Sequence, residues 1–388
     1  PAWDGGILLW RTRTDSWRAN MSSYPASITH ARIYGKRDEY CGWPSVARMA
    51  SGDIVVAFCV SEEHMAPSGA ILSVRSSDAG KTWSEPVTIL DSIIDDREAG
   101  LTLLDGGQSL MVHMWSTHHT AATYRGLAES SYRADVLERW IAHVEAPTYL
   151  QAAGLEGATT SVTTDGTNWS TLHPGTDSIH GGVQLPDGSV CIASYRVRRP
   201  NVGIYRGSGT PLTWQLMAEL ALPNLTSTRF GEPHIALLPS GRLLVVLRST
   251  AIPYDDSSRR NLLWMTYSDD GGVSWVEPYP TPLWGFPAHL LVLADGRVLC
   301  TYGYRRRPFG QRACISEDGV TWRAEDEIIL RDDAHDGDLG YPASVEVEPG
   351  RILSVYYQPI DEGGPAQMTP PDPCRAKPDI WGSIWDLP

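Results

Sequence analysis

Apolar and polar residues alternate along most of this chain, and the alternation comes in pairs of short runs. An apolar run, a tight turn holding a glycine, and a second apolar run recur six times. They read PSVARMASGDIVVAF at 44–58, AGLTLLDGGQSLMVHMW at 99–115, HGGVQLPDGSVCIASYR at 180–196, EPHIALLPSGRLLVVLR at 232–248, PAHLLVLADGRVLCTYGYR at 287–305 and PASVEVEPGRILSVYYQ at 342–358. A period of two marks a half-buried strand, and a glycine-bearing turn between two such runs marks a hairpin. The turn glycines stand at 52, 106, 188, 241, 296 and 350, at intervals of 54, 82, 53, 55 and 54 residues. Near-equal modules, one of them carrying an insertion, predict blades around an axis: an all-β, six-bladed β-propeller built from residues 1–388 as one domain.

The ends fit that reading. Residues near 30–35 and DIWGSIW at 379–385 look like strands that complete one blade from both termini, which would remove an open edge. The long interval holds a stretch, 130–154, in which Leu137, Trp140, Ile141 and Val144 follow helical spacing. It predicts a small helical insertion at about 120–155, between the second and third blades, docked by its apolar stripe.

A second repeat falls between the hairpins: SSDAGKTW at 76–83, TTDGTNW at 163–169, YSDDGGVSW at 267–275 and SEDGVTW at 316–322, with a worn copy, GSGTPLTW, at 207–214. It resembles the Asp box, S-x-D-x-G-x-T-W, of the sialidase and neuraminidase superfamily. The chemistry suits a turn: Asp or Ser bonds the backbone, Gly takes a positive φ, and Trp packs between sheets. Asp78, Asp165, Asp270 and Asp318 therefore read as structural, and the resemblance puts them on the rim, away from any active site.

Charge narrows the function classes. The net charge is −14 and the pI about 5.2, with no basic cluster fit to neutralise a nucleic-acid backbone or an anionic membrane. No run of eighteen apolar residues is present to span a membrane. No segment reads as a signal peptide, which is compatible with a cytoplasmic protein or with a trimmed secreted one. Cysteines at 41, 59, 191, 300, 314 and 374 form no CxxC pair, and those within apolar runs read as buried small hydrophobes.

In a propeller the first strand of every blade lines the channel, so the residues that open those strands meet at one mouth. Nine positions before each turn glycine stand Trp43, Arg97, Ile179, Glu232, Pro287 and Tyr341. One further on are Pro44, Glu98, His180, Pro233, Ala288 and Pro342. A funnel holding Arg, Glu, His and Tyr is chemically loaded. The sialidase resemblance implies roles for four residues. Glu232 and Tyr341 would form the nucleophile pair, and Arg248 and Arg312 would hold the substrate carboxylate. A Tyr suits a sugar with a carboxylate on its anomeric carbon, because a neutral phenol avoids the repulsion an Asp or Glu would meet. Arginine matches that carboxylate bidentately.

Two positions depart from the family. Gly42 stands where the first arginine would be, in Tyr40-Cys41-Gly42-Trp43-Pro44, and Arg97, Arg37 or Lys36 could replace it. The loop that carries the family's acid Asp reads Val60-Ser61-Glu62-Glu63-His64, so Glu63 or His64 could serve, with Asp95 or Asp96 as the alternative. His180 and Trp43 would line the substrate pocket. His180, His234 and His289 fall at different registers, which argues against a shared metal. His118-His119 reads as polar loop, and Arg305-Arg306-Arg307 as either an anion site or a solvated run. The resulting expectation is an exo-acting, retaining glycoside hydrolase for a terminal acidic sugar, with a carbohydrate partner and no cofactor. Two alternatives stand beside it: a lyase or rhamnosidase-like enzyme acting on uronate-containing glycans, and a non-catalytic propeller that binds glycan or protein.

Overall fold

The computed structural model describes residues 23–36, 38–127, 132–176, 178–195, 201–223, 225–255, 257–360 and 377–388. Among them the chain is mostly antiparallel β-sheet with a few short helices. Four sheets have four strands each, and a fifth has eight. The eight-stranded sheet divides into two antiparallel halves that meet at one parallel pair, Gly69 with Asp95. The first half comprises Tyr40–Arg48, Ile54–Ser61, Gly69–Ser76 and Val87–Asp91. The second comprises Asp95–Leu104, Ser109–Thr117, Gly157–Thr163 and the short His173–Pro174. We number these halves sheets 1 and 2. Sheets 3, 4 and 5 follow in chain order over Val183–Glu219, Thr228–Trp284 and Ala288–Arg331. Sheet 6 takes its inner strands, Gly340–Glu348 and Arg351–Gln358, from the last module. Asp379–Asp386 and the N-terminal Ile28–Tyr34 complete it, paired antiparallel with each other.

Apolar clusters lie between neighbouring sheets. One joins sheets 6, 1 and 2 through Tyr341, Val355, Val56 and Leu110. Others join sheets 3 and 4, 4 and 5, and 5 and 6. Between sheets 2 and 3 the main chains approach closely. The Gly182 N–H donates to Thr102 Oγ1 at 2.7 Å, and a Cβ at Gly100 or Gly181 would collide with main-chain atoms across the gap. Glycine is required there for close approach. Cys41, Cys59, Cys191, Cys300 and Cys314 are buried free thiols, as the apolar runs around them predict; Cys374 lies outside the described residues.

The helical excursion forms, with Ala134–Glu145 burying Leu137, Trp140 and Val144 against Tyr124, Tyr149, Ile94 and Ala66. Its place differs from the expectation. It interrupts sheet 2 between that sheet's second and third strands rather than lying between two sheets, because Gly157–Thr163 pairs with Ser109–Thr117. The TTDGTNW turn needs its own strand directly before it, and that strand belongs to the same module. Among the described residues no helix is long and apolar enough to cross a membrane.

The four Asp-bearing turns join third to fourth strands. Strands alternate in direction, so these turns lie at the end of each sheet opposite the start of its first strand. In the first of them Asp78 accepts from the Thr82 N–H at 2.9 Å, the Lys81 N–H at 3.1 Å and the Thr82 hydroxyl at 2.6 Å. Those bonds, chiefly from Thr82, lower its pKa to about 2. The same pattern recurs at Asp165, Asp270 and Asp318.

Candidate functional site

The first strands of four sheets carry a shared irregularity. The ladder skips a step at Trp43-Pro44, at Glu98, at Glu232-Pro233 and at Tyr341-Pro342. Proline has no N–H to give the ladder, so three of these bulges are written into the sequence. The residue before each proline, and Glu98 in sheet 2, takes a left-handed backbone: φ is 50° at Trp43, 56° at Glu98, 44° at Glu232 and 49° at Tyr341. Such a conformation costs a non-glycine residue about 1–3 kcal/mol, and strain of this kind collects at functional sites. Counting from the turn glycine had put Arg97 at this place. The turn of sheet 2 carries a second glycine, Gly107, and the bulge falls one residue later, on Glu98.

Two bulge residues meet across the molecule. The Tyr341 hydroxyl donates to Glu232 Oε1 at 2.9 Å. The other carboxylate oxygen of Glu232 accepts from Arg248 Nη1 at 2.6 Å, and Arg248 Nε donates to Thr250 Oγ1 at 2.9 Å. Burial holds the phenol of Tyr341 well above its ordinary pKa of 10; the Glu232 charge adds to this and Arg248 opposes it. The phenol is therefore neutral near pH 7. A cleft of about 330 Å³ opens beside Glu232 and Arg248, walled by Tyr195, Arg229, Thr250 and Tyr254.

Around Tyr341 stand Trp43, Tyr357 and His180, with ring centroids 6.4, 5.8 and 6.3 Å away. Arg305 lies with its guanidinium 5.8 Å from the Tyr341 ring and 5.4 Å from Phe286. It donates to Tyr357 Oη at 3.2 Å and to the Leu339 carbonyl at 2.9 Å. Tyr357 and Tyr40 both donate to Asp338 Oδ1, at 3.2 and 3.0 Å. His64 Nδ1 is 2.7 Å from the Tyr40 hydroxyl and 3.3 Å from Asp338 Oδ1.

Other expected residues sit elsewhere. Arg312 is buried in sheet 5, stacked 4.2 Å from the Tyr304 ring, with its donors on the carbonyls of Gln311, Arg331 and Pro308 and an ion pair to Glu327 at 3.6 Å. Arg305 is the sheet 5 cation that reaches Tyr341. Its signal lay in the Arg305–Arg307 run; Arg306 and Arg307 instead stack on Trp284 and Phe309. Arg97 lies 4.8 Å from the Trp43 ring and spends its donors on Asp95 and the His64 carbonyl. Lys36 pairs with Glu39, and Arg37 lies outside the described residues. Asp96 is fully buried and accepts from the Ser92 backbone, the Ser92 hydroxyl and the Ser116 hydroxyl. Asp95 binds His119, His118 bonds the Tyr149 carbonyl, and Glu63 pairs with Lys377. At Gly42 a Cβ would stand 3.0 Å from the Tyr40 ring, so Tyr40 fills the space beside it.

The three histidines come together, against the register argument. His234 and His289 stack with centroids 4.3 Å apart, and His180 meets each edge-on at 5.4 Å. His180 precedes the short strand Val183–Gln184, so strand alternation does not bind it. All three are buried, and both ring nitrogens of His180 lack a partner among the described residues. Burial lowers the pKa of His180 to about 3 and those of His234 and His289 well below 6.5. Among the described residues no group of His, Cys, Asp or Glu has the arrangement to hold a metal ion.

No family model matches the sequence, and no curated protein does. Solved structures do match in shape. A protein of unknown function from Dyadobacter fermentans is 24% identical with a TM-score of 0.70, the match covering 94% of this chain and 100% of that one. The Hadza microbial sialidase Hz136 is 16% identical with a TM-score of 0.60, over 90% of this chain and 66% of that one. The Trypanosoma rangeli sialidase in complex with sialic acid is 12% identical with a TM-score of 0.59, over 94% of this chain and 59% of that one. This chain thus spans about two thirds or less of the length of those two sialidases. At such identities the likeness shows a sialidase-like fold.

Proposed function

We propose that the six sheets close into a six-bladed propeller and that the chain is an exo-acting, retaining glycoside hydrolase for a terminal acidic sugar. The observation that carries this reading is the 2.9 Å hydrogen bond from Tyr341 to Glu232, made between two strained bulges on sheets 6 and 4. In this reaction Glu232 takes the phenolic proton as Tyr341 oxygen bonds the anomeric carbon and the leaving sugar departs. Water then replaces Tyr341 on the same face, and the configuration is retained.

Arg248 and Arg305 flank this pair and would hold the substrate's anionic group. With Tyr40 beside Gly42 and Arg312 bonded to carbonyls within sheet 5, Arg248 and Arg305 take that task, and Arg229 stands on the wall of the adjoining cleft. The substrate therefore carries a carboxylate held by Arg248 and Arg305. A panel of aryl glycosides tests this. Aryl ulosonides and uronides are expected to be cleaved and neutral aryl glycosides not. Arg305→Ala is expected to raise KM on the acidic substrates roughly tenfold or more, as loss of a charge-assisted hydrogen bond would. Cleavage confined to neutral glycosides would remove the arginine pair from the account. An ultraviolet-absorbing unsaturated product would replace hydrolysis with elimination, and glycan binding without turnover would replace it with recognition.

A further inference from the structure

Hydrolysis at Tyr341 also needs a group that protonates the departing oxygen and later takes a proton from water. We propose that His64 is that acid and base and that Asp338 is the residue that positions it, an assignment that rests on the glycosidase reading above. Three carboxylates were candidates for the task, and the structure commits each elsewhere: Asp96 is sealed by Ser92 and Ser116, Asp95 is held by Arg97 and His119, and Glu63 pairs with Lys377.

His64 sits differently. Its ring meets Trp43 edge-on at 5.0 Å, and Trp43 meets Tyr341 at 6.4 Å. Its side chain is 37% exposed, against 5% for Tyr341, so it stands at the open side of the group. Nδ1 faces Tyr40 Oη and Asp338 Oδ1, while Nε2 has no hydrogen bond among the described residues. Asp338 lies three residues before Tyr341, so the loop that leads into the nucleophile's strand carries the carboxylate that orients the imidazole. The loop bearing His64 is held from several sides. Arg97 grips the His64 carbonyl, the Ser61 hydroxyl donates to the Glu63 carbonyl at 2.9 Å, and Lys377 donates to the Glu62 carbonyl. Arg139 and Trp140 of the helical excursion bind the Glu62 carboxylate. This gives the insertion a use: it fixes the loop on which the acid stands.

The balance of the two steps is as follows. In the first, Tyr341 oxygen bonds the anomeric carbon and its proton passes to Glu232. The glycosidic C–O bond breaks, and the leaving oxygen takes the Nε2 proton of the His64 imidazolium, which keeps its Nδ1 proton toward Asp338. In the second, neutral Nε2 takes a proton from water as the water oxygen bonds the anomeric carbon. The bond to Tyr341 breaks, and Tyr341 recovers its proton from Glu232. An imidazole can serve in both directions near neutral pH.

The test is the leaving-group dependence of His64→Asn. The probes are aryl glycosides of the acidic sugar that the panel shows to be cleaved best, with increasingly basic phenols, ending in its methyl glycoside. A good leaving group needs no proton, so the loss is expected to grow from less than about tenfold for dinitrophenyl to about 10³-fold for methyl. Asp338→Asn is expected to give the same graded pattern with a smaller slope, partly restored in Asp338→Glu. A loss that is uniform along the series would overturn the assignment. A parent that cleaves none of the probes contradicts the glycosidase reading instead. The pairing is then decided by ring-nitrogen magnetic resonance of the neutral ring at alkaline pH: His64 protonated at Nδ1 in the parent and moved to Nε2 in Asp338→Asn supports it, and an unchanged tautomer overturns it.

Discussion

Tyr341→Phe is expected to lower kcat by at least ~10³-fold, with KM changed less than about threefold, because it removes the atom that bonds the sugar. The substitution is conservative in every other respect. The phenyl ring keeps its contacts with Trp43, Tyr357 and His180, and the lost hydroxyl has Glu232 as its partner. Glu232 keeps Arg248, so its charge stays compensated. The melting temperature should therefore hold while turnover collapses, a split that a structural role for Tyr341 would not produce. Glu232→Gln should also lose activity, by about 10²–10⁴-fold, because the amide cannot take the phenolic proton. Steady-state kinetics on the best aryl glycoside of the panel measures both. A Tyr341→Phe variant within tenfold of the parent would end the nucleophile assignment.

The second large effect is on stability in mild acid. His180, His234 and His289 are buried against one another, and His113 is buried apart from them, with its pKa lowered to about 3 by burial. All four are held neutral in the folded chain, whereas in the unfolded chain each titrates near 6.5. Above that pH neither state is protonated and the groups contribute no pH dependence. Below it the unfolded state binds protons that the folded state refuses, so stability falls as pH drops from 6.5 towards the folded values. Each group is half protonated in the unfolded chain at pH 6.5 and so contributes about 1 kcal/mol over the step to pH 5.5, and the four together should remove on the order of 4 kcal/mol. That is a large share of the stability of a typical domain, roughly 5–15 kcal/mol. Urea unfolding midpoints between pH 7 and 5 measure it, a window that lies above most carboxylate titration. His289→Gln should reduce the slope by about one proton. A midpoint that does not move across this window would mean that the histidines are charged or hydrated in the folded state.

Much of the fold was legible because hairpin periodicity and turn glycines are local signals. The pairing of the chain ends followed from the same pattern, since a terminal strand without a local partner must find a distant one. The insertion was seen as helix but misplaced by one strand, because only pairing reveals that Gly157–Thr163 belongs with Ser109–Thr117. At the site, Glu232 and Tyr341 were readable from an X-Pro pair nine residues before a turn glycine. In sheet 2 the bulge falls on Glu98, one place after the nine-residue count, because one additional turn glycine shifts that count. The contact among the three histidines was not legible because alternation holds only inside a regular strand, and His180 lies before its own. Arg305 and Arg312 could not be told apart along the chain. Which of them faces the centre depends on carbonyls from Pro308, Gln311 and Arg331 that converge on Arg312 only once sheet 5 has formed. Asp338, Tyr40 and Tyr357 carry no motif and become visible only through the hydrogen bonds that join them to His64 and Arg305.

The most direct test of the central claim is to quench the parent with acid during turnover of an activated aryl α-sialoside and map the protein by mass spectrometry. The account predicts a mass increase of one glycosyl residue on the peptide that contains Tyr341, absent in Tyr341→Phe, with the released sugar retaining its anomeric configuration. Turnover that leaves Tyr341 unmodified and inverts the configuration would contradict it.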